Sequence, residues 1–156
     1  MPLSRKDTVA AVIVTHNRVE LLEASLRQVA NQEGAEVAHV VVMDNGNDPA
    51  VRELVESVCG SRAHYVGSAT NLGGAGGFAL GFLTALSLGA DAIWCADDDG
   101  RPADEHVLAT LQEVAEREGL EEISPVVCNI EDPERLAFPL RQGLVWRRTL
   151  SELEGS

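Results

Sequence analysis

Cysteine is scarce in this 156-residue sequence. Cys59, Cys95 and Cys128 are odd in number and far apart, and no CxxC or Cys/His cluster accompanies them. That pattern suggests neither a zinc site nor a disulfide framework, and it fits reduced thiols in a cytosolic protein. Basic residues are also few. Twelve Lys and Arg stand against 25 Asp and Glu, which leaves a formal net charge of −13 and a pI of about 4.6. A nucleic-acid partner would need more Lys and Arg to neutralise its phosphates, so that class is excluded. A nucleotide ligand is not, because a metal ion can supply the missing positive charge. No apolar run approaches the roughly 18 to 20 residues of a membrane span. Met1 to Asp7 is polar and the apolar run after it is short, unlike a secretory leader. Internal repeats and low-complexity segments are missing as well.

What is present is 45% hydrophobic residues, enough for one domain with a real core. Thr8 to Thr15 is a short continuous apolar run and reads as a buried strand. Asn17 and Glu20 have capping-box spacing ahead of a helix marked by Val19, Leu22, Leu26 and Val29. Val37 to Met43 reads as a second strand, and Asp48-Pro49 as the start of a second helix. A weaker strand is expected at His64 to Val66, then a helix over Phe78 to Leu88. Ala90 to Ala96 reads as the fourth strand, Val107, Leu108, Leu111 and Val114 as a helix, and Ile123 to Cys128 as a fifth strand. The alternation predicts an α/β fold: a mostly parallel sheet with helices on both faces. Past Asn129 the pattern fades, with one strand expected over Gly143 to Arg147.

Ligands of open α/β sheets sit beyond the carboxyl ends of the strands. Three polar clusters fall there: Thr15-His16-Asn17, Asp44-Asn45 and Asp97-Asp98-Asp99. Three adjacent carboxylates repel one another, and in sequence only Arg101 lies close by. The triplet reads either as ligands for a hard divalent cation or as a solvated acidic turn that caps the next helix. Asp44 reads either as an acceptor for a base or ribose or as an Asx-turn before Gly46. His16 either touches a phosphate or base, or is simply solvated. The segment Gly73 to Gly77 holds four glycines in five positions at the start of a helix. So dense a run predicts a positive φ or a very close backbone approach, with helix N–H groups free to face an anion. It follows the third strand and not the first, which argues against a dinucleotide fingerprint. Trp146-Arg147-Arg148 reads as an exposed strand end, or as a patch for a membrane surface or a diphosphate lipid.

Thr15-His16-Asn17-Arg18, Val41-Val42-Met43-Asp44-Asn45, Asn71-Leu72-Gly73-Gly74 and Trp94 to Gly100 together resemble the GT-A glycosyltransferases of family 2, over residues 8 to about 130. More narrowly, NLGGAGGFALG, ADDDG, SPVVCNIEDPERLAFPLR and GLVWRR are similar to the actinobacterial galactofuranosyltransferases that begin cell-wall galactan synthesis, as far as about residue 149. The resemblance implies a UDP-galactofuranose donor, Mn²⁺ or Mg²⁺, and a polyprenyl-diphosphate-linked glycan acceptor. It places Asp97 and Asp99 at the metal, with Asp99 the stronger ligand, and Asp97 or Asp98 near the ribose. It places Asp44 at the uracil, Thr15 and His16 along the base, Asn17 among the nucleotide-sugar-binding residues, and Asn71 and Gly73 beside the nucleotide. Residues 1–130 are then expected to form the nucleotide-sugar-binding subdomain, and 131–156 to begin a truncated acceptor-side region.

The family's chain continues for roughly another domain. No catalytic base can be carried onto the present residues, so it is expected beyond them, and this chain alone is expected to be inactive. The expected activity of the whole is metal-dependent, inverting glycosyl transfer in the cytoplasm, with peripheral contact at the inner face of the plasma membrane. Two rival readings are a non-catalytic nucleotide-sugar-binding module and a family 2 transferase with another donor, such as a rhamnosyl nucleotide.

Overall fold

A computed structural model describes residues 1–154. They form two compact units, Met1–Glu122 and a second that starts at Ile123. The first unit runs β1 (Val9–Thr15), α1 (Val19–Ala30), β2 (Val37–Asp44), α2 (Pro49–Cys59), β3 (Ala63–Gly67), α3 (Gly73–Ser87), β4 (Ala92–Asp97) and α4 (Val107–Glu118). Its four strands are all parallel, in the order β3-β2-β1-β4. The chain therefore winds outward from β1 to β3 and then crosses back to the other side of β1. That reversal puts a crevice at the carboxyl ends of β1 and β4.

Alternate residues of β1 serve opposite faces of the sheet. Val9, Ala11 and Ile13 join Val40 and Val42 against Leu22, Leu26 and Val29 of α1, Val51 and Val55 of α2, and Leu108 of α4. Ala10 and Val12 join Val41 against Ala85, Phe78 and Phe82 of α3. Both faces of the central strands are thus dry, which explains why β1 and β2 read as continuous apolar runs. On the second face, α3 lies unusually close to β1. A Cβ on Gly77 would stand 2.6 Å from Val14 Cγ1, and one on Gly81 would run into Val12 Cγ1. Gly73, the first residue of α3, has φ +67°. The glycine run thus shows both properties its density predicts.

Two local expectations need correction. The Asn17–Glu20 capping box does not form: Arg18 occupies the N-cap of α1 without a side-chain cap bond, and Asn17 takes φ 56° in the connecting loop. Asp48 does cap α2, accepting from Ala50 N at 2.9 Å, with Pro49 at the first helical position. Ile123 to Cys128 is not a fifth parallel strand. Pro125 interrupts it and can donate nothing to a ladder. In the second unit Cys128 instead bridges antiparallel to Leu136, and Ala137 N donates to Val127 O at 2.8 Å. That unit also holds an antiparallel hairpin, β5 (Arg135–Gln142) and β6 (Val145–Thr149), then the short α5 (Leu150–Glu154). β5 went unread in the sequence because Pro133 and Pro139 argue against a strand there; at the edge of a two-stranded sheet, Pro139 is tolerated.

Candidate functional site

The aspartate triplet closes β4, and each of its members has a different environment. Asp98 turns inward and is buried. Its carboxylate accepts from Thr15 Oγ1 at 2.8 Å and from Arg18 Nη1 at 3.3 Å. Asp99 is exposed and accepts from the same Arg18 Nη1 at 2.9 Å. Asp97 has no such partner, and its pKa is raised by desolvation at the strand end first, then by the charges of Asp99 and Asp98. The backbone of this turn is pinned from α1: Ser25 Oγ, fully buried, contacts the carbonyls of Asp97 at 2.8 Å and Gly100 at 2.6 Å.

The triplet is therefore not a helix cap. The amide of Leu108 in the first turn of α4 donates to Gln32 Oε1 at 2.9 Å instead. Nor is the triplet without a cation. Arg18 is distant from it in sequence but adjacent in space, because β1 pairs with β4 and Val14 lies beside Asp97.

The β2 end is built differently. Asp44 is fully buried and its carboxylate accepts three hydrogen bonds, two from the loop that follows and one from β3. Gly46 N donates to Oδ1 at 2.7 Å, while Asp48 N at 2.7 Å and the Tyr65 hydroxyl at 2.9 Å donate to Oδ2. This is the Asx-turn, extended by a bond from the neighbouring strand. The same arrangement pushes the Tyr65 pKa up to about 12, through burial, the hydrogen bond to Asp44 and that carboxylate's charge. Asn45 clamps the glycine loop, accepting from Leu72 N and donating to Gly73 O, both at 3.2 Å. Asn71 Oδ1 accepts from Gly73 N at 2.8 Å.

His16 and Asn17 lie exposed between these two strand ends, their side chains 3.4 Å apart. Gly46 lets the loops meet, since a Cβ there would stand 2.8 Å from Asn17 Oδ1 and 3.7 Å from His16 Nδ1. The structure thus gathers Thr15, Asp97, Asp98 and Asp99 at one end of the rim, and Asp44, Asn71 and Gly73 at the other, with His16 and Asn17 between. Arg18 and Asn45 stand in the motifs read from the sequence but were given no role there, while Ser25 and Tyr65 are neighbours that sequence reasoning passed over. Ser25 had a legible signal: it is the polar member of the buried α1 face Leu22, Leu26, Val29.

Among the described residues, no three His, Cys, Asp or Glu side chains converge as a ready-made metal cage. The donor set nevertheless suits one kind of ion. Mg²⁺ and similar hard cations are commonly held by one or two carboxylates together with substrate phosphates. Asp97 and Asp99 are two carboxylates of that kind, at and just beyond the end of β4.

A strand-end rim of this kind, at the reversal point of a parallel sheet flanked by helices, defines an α/β domain of the GT-A type. Solved structures share the fold. The mannosyltransferase PcManGT from Pyrobaculum calidifontis, in complex with GDP-Man and Mn²⁺, superposes with a TM-score of 0.56 at 18% identity, over 81% of this chain and 37% of that one. S. aureus TarS does so with a TM-score of 0.56 at 19% identity, over 78% of this chain and 21% of that one. The family model for glycosyl transferase family 2 matches residues 10–151, and the chain belongs to that family. It is 58% identical over 151 residues to galactofuranosyltransferase GlfT1 of Mycolicibacterium smegmatis, covering 97% of this chain and 49% of that protein. It is 54% identical to GlfT1 of Mycobacterium tuberculosis strain H37Rv, covering 94% and 48%. The chain spans about half the length of the curated relatives it matches.

Proposed function

We propose that this chain is the donor-binding part of a galactofuranosyltransferase that takes UDP-galactofuranose as donor and a polyprenyl-diphosphate-linked glycan as acceptor, in the cytoplasm and in peripheral contact with the membrane. The observation that carries this reading is the rim of Thr15, Arg18 and Asp97 to Asp99 at the sheet's reversal point. The two GlfT1 relatives support the choice of sugar, and the GDP-Man and Mn²⁺ complex of a protein with this fold supports a nucleotide-sugar ligand and a divalent ion.

In this reading Asp99 and Asp97 hold Mn²⁺ or Mg²⁺, with Asp99 the principal ligand. When bound, the ion neutralises the diphosphate that leaves with UDP. Asp98 has a different task. Buried beneath the rim, it fixes Thr15 and Arg18, and through them the end of β1. Thr15, His16 and Asn17 line the base. Asp44 shapes the loop beside it, and a direct contact with uracil would use the acceptor capacity that Oδ1 keeps beyond its bond from Gly46 N. Asn71 and Gly73 pass along the nucleotide, where the first turn of α3 presents N–H groups. The donor-binding residues all fall within residues 1–130.

The transfer itself is proposed as inverting: an acceptor hydroxyl oxygen bonds to the anomeric carbon as the bond to the diphosphate oxygen breaks. Its base is not assigned to this chain. Glu134 and Glu152 accept from the backbone amides of Ser151 and Arg148. The bonds from Ser151 lower the Glu134 pKa, the wrong direction for a general base. The chain alone is therefore proposed to bind donor without transferring sugar.

Calorimetry tests the reading. UDP is expected to bind more tightly with Mn²⁺ than with chelator, and Asp99→Ala to remove most of that difference. Equal affinity in both conditions would reject the metal assignment.

A further inference from the structure

The β5–β6 hairpin places positive charge beside exposed apolar side chains. Residues 135–149 contain Arg135, Arg141, Arg147 and Arg148 and no Asp or Glu, within a chain of net charge −13. Acidic residues gather at the hairpin's open end: Glu131, Asp132 and Glu134 precede β5, and Glu152 and Glu154 follow β6. Glu134 ties that end together by accepting from Ser151 N. The opposite end, the turn, is cationic and apolar. Leu144 is 90% exposed there, Val145 51% and Trp146 60%.

Register sets which groups share a face. Arg141 pairs directly with Trp146, so their side chains stand together, and Arg148 lies two residues along the same strand on the same face. Arg141 Nε donates to Gly143 O at 2.9 Å, which holds this guanidinium at the tip. Arg147 points to the other face, where its Nε donates to Gln142 Oε1 at 3.0 Å. The result is an indole flanked by two arginines, with an apolar turn protruding beyond them. Trp favours the level of lipid headgroups, exposed Leu gains from entering the acyl boundary, and Arg pairs with anionic phosphates.

We infer that the tip of this hairpin is the membrane-docking surface of the protein, and that its occupant is an anionic bilayer. Charge complementarity carries the choice. An acidic chain is repelled by an anionic surface everywhere except at a basic patch, and the hairpin's own charge separation turns its tip toward that surface. The inference gives a location to the peripheral contact proposed above, but its evidence lies wholly in residues 131–154.

The test is sedimentation of the full chain with vesicles of phosphatidylcholine, alone or mixed with phosphatidylglycerol. Binding to the mixed vesicles is expected to be about 25-fold stronger or more, at roughly fivefold for each of the two arginines beside Trp146, and to fall at high salt. In a Trp94→Phe background, the emission of Trp146 is expected to shift to the blue on binding. Arg141→Gln with Arg148→Gln is expected to lower binding about 25-fold, and separately Leu144→Ser with Trp146→Ser about tenfold, while circular dichroism and UDP binding stay unchanged. Retention on mixed vesicles by both double variants overturns the assignment. So does equal binding to the two vesicle types, or none to either, the result expected if the patch seats another polypeptide. Failure of the unaltered chain to bind vesicles, with its metal-dependent UDP binding intact, sinks the docking surface alone; vesicle binding without metal-dependent UDP binding sinks the functional reading alone.

Discussion

Arg18 Nη1 donates to Asp99 Oδ2 at 2.9 Å, so the carboxylate proposed as the principal metal ligand already has a cation beside it. The same nitrogen reaches Asp98 Oδ1 at 3.3 Å. Arg18 thus relieves part of the repulsion among three successive aspartates, and a metal ion must compete with it for Asp99. The guanidinium is half exposed, so the pair contributes little to stability, about 0 to 1 kcal/mol. Arg18→Gln is therefore expected to strengthen binding of bare Mn²⁺ by up to about fivefold, as read by manganese electron paramagnetic resonance. Unchanged or weaker Mn²⁺ binding would show that Arg18 does not compete.

Asp98 and Asp99 are adjacent but should behave as different kinds of residue. Asp98→Ala removes the acceptor of the buried Thr15 hydroxyl. A buried polar group left without its partner costs about 1–3 kcal/mol. Asp99→Ala touches an exposed side chain and should stay within about 0.5 kcal/mol of wild type. Urea unfolding is expected to separate them in that order, while calorimetry shows the larger loss of Mn²⁺-dependent UDP affinity in Asp99→Ala. If Asp98→Ala unfolds at the wild-type urea midpoint, Asp98 is not the structural support described here.

The alternation of strands and helices was legible because both faces of β1 and β2 are covered, so their apolar runs are continuous. Local punctuation was less reliable. Asp48-Pro49 behaved as the local rules say, whereas Asn17 was diverted into the loop joining β1 to α1, where φ 56° and contact with the β2 end place it. Sequence spacing found the aspartate triplet at the end of β4 but not what surrounds it. Arg18 and Ser25 lie more than seventy positions away and arrive only through the pairing of β1 with β4 and the packing of α1. The Asx-turn at Asp44 was legible from Gly46, but the bond from Tyr65 on the neighbouring strand lies outside any local rule. In the second unit Pro125 and Pro139 broke the pattern that strand reading depends on.

Glycines within α3 should respond to alanine with opposite signs. At Gly81 the new methyl meets Val12, a β-branched residue in the buried centre of β1. Overpacking of this kind costs about 1–3 kcal/mol, against a gain of up to about 1 kcal/mol in helix propensity. Gly81→Ala is expected to lower stability. Around Gly74 nothing beyond its chain neighbours and its own helix backbone lies within 4 Å of the added Cβ, so Gly74→Ala is expected to raise stability by up to about 1 kcal/mol. Thermal unfolding of the two variants distinguishes the outcomes, and stabilisation by both would mean that α3 does not rest closely on β1.

Tyr65 offers a test of the loop at the end of β2 through its titration. Its hydroxyl donates to Asp44 Oδ2, and only the neutral phenol can do so. The folded-state pKa is accordingly raised from 10.0 to about 12. Because it is raised, the folded state holds this proton more tightly than the unfolded chain does. The resulting stability is fully present below pH 10 and is lost as pH climbs toward about 12. Tyr65→Phe keeps the ring beneath the Arg52 guanidinium, which lies 4.5 Å from its centroid, and removes only the hydroxyl. At neutral pH the variant is expected to be less stable by about 1.5–3 kcal/mol, the usual range for a hydrogen bond to a charged group. Urea midpoints of wild type and variant should then converge between pH 10 and about 12 as the wild-type phenol ionises. A gap that persists unchanged across that window would mean the hydroxyl stabilises the fold by some route other than its bond to Asp44.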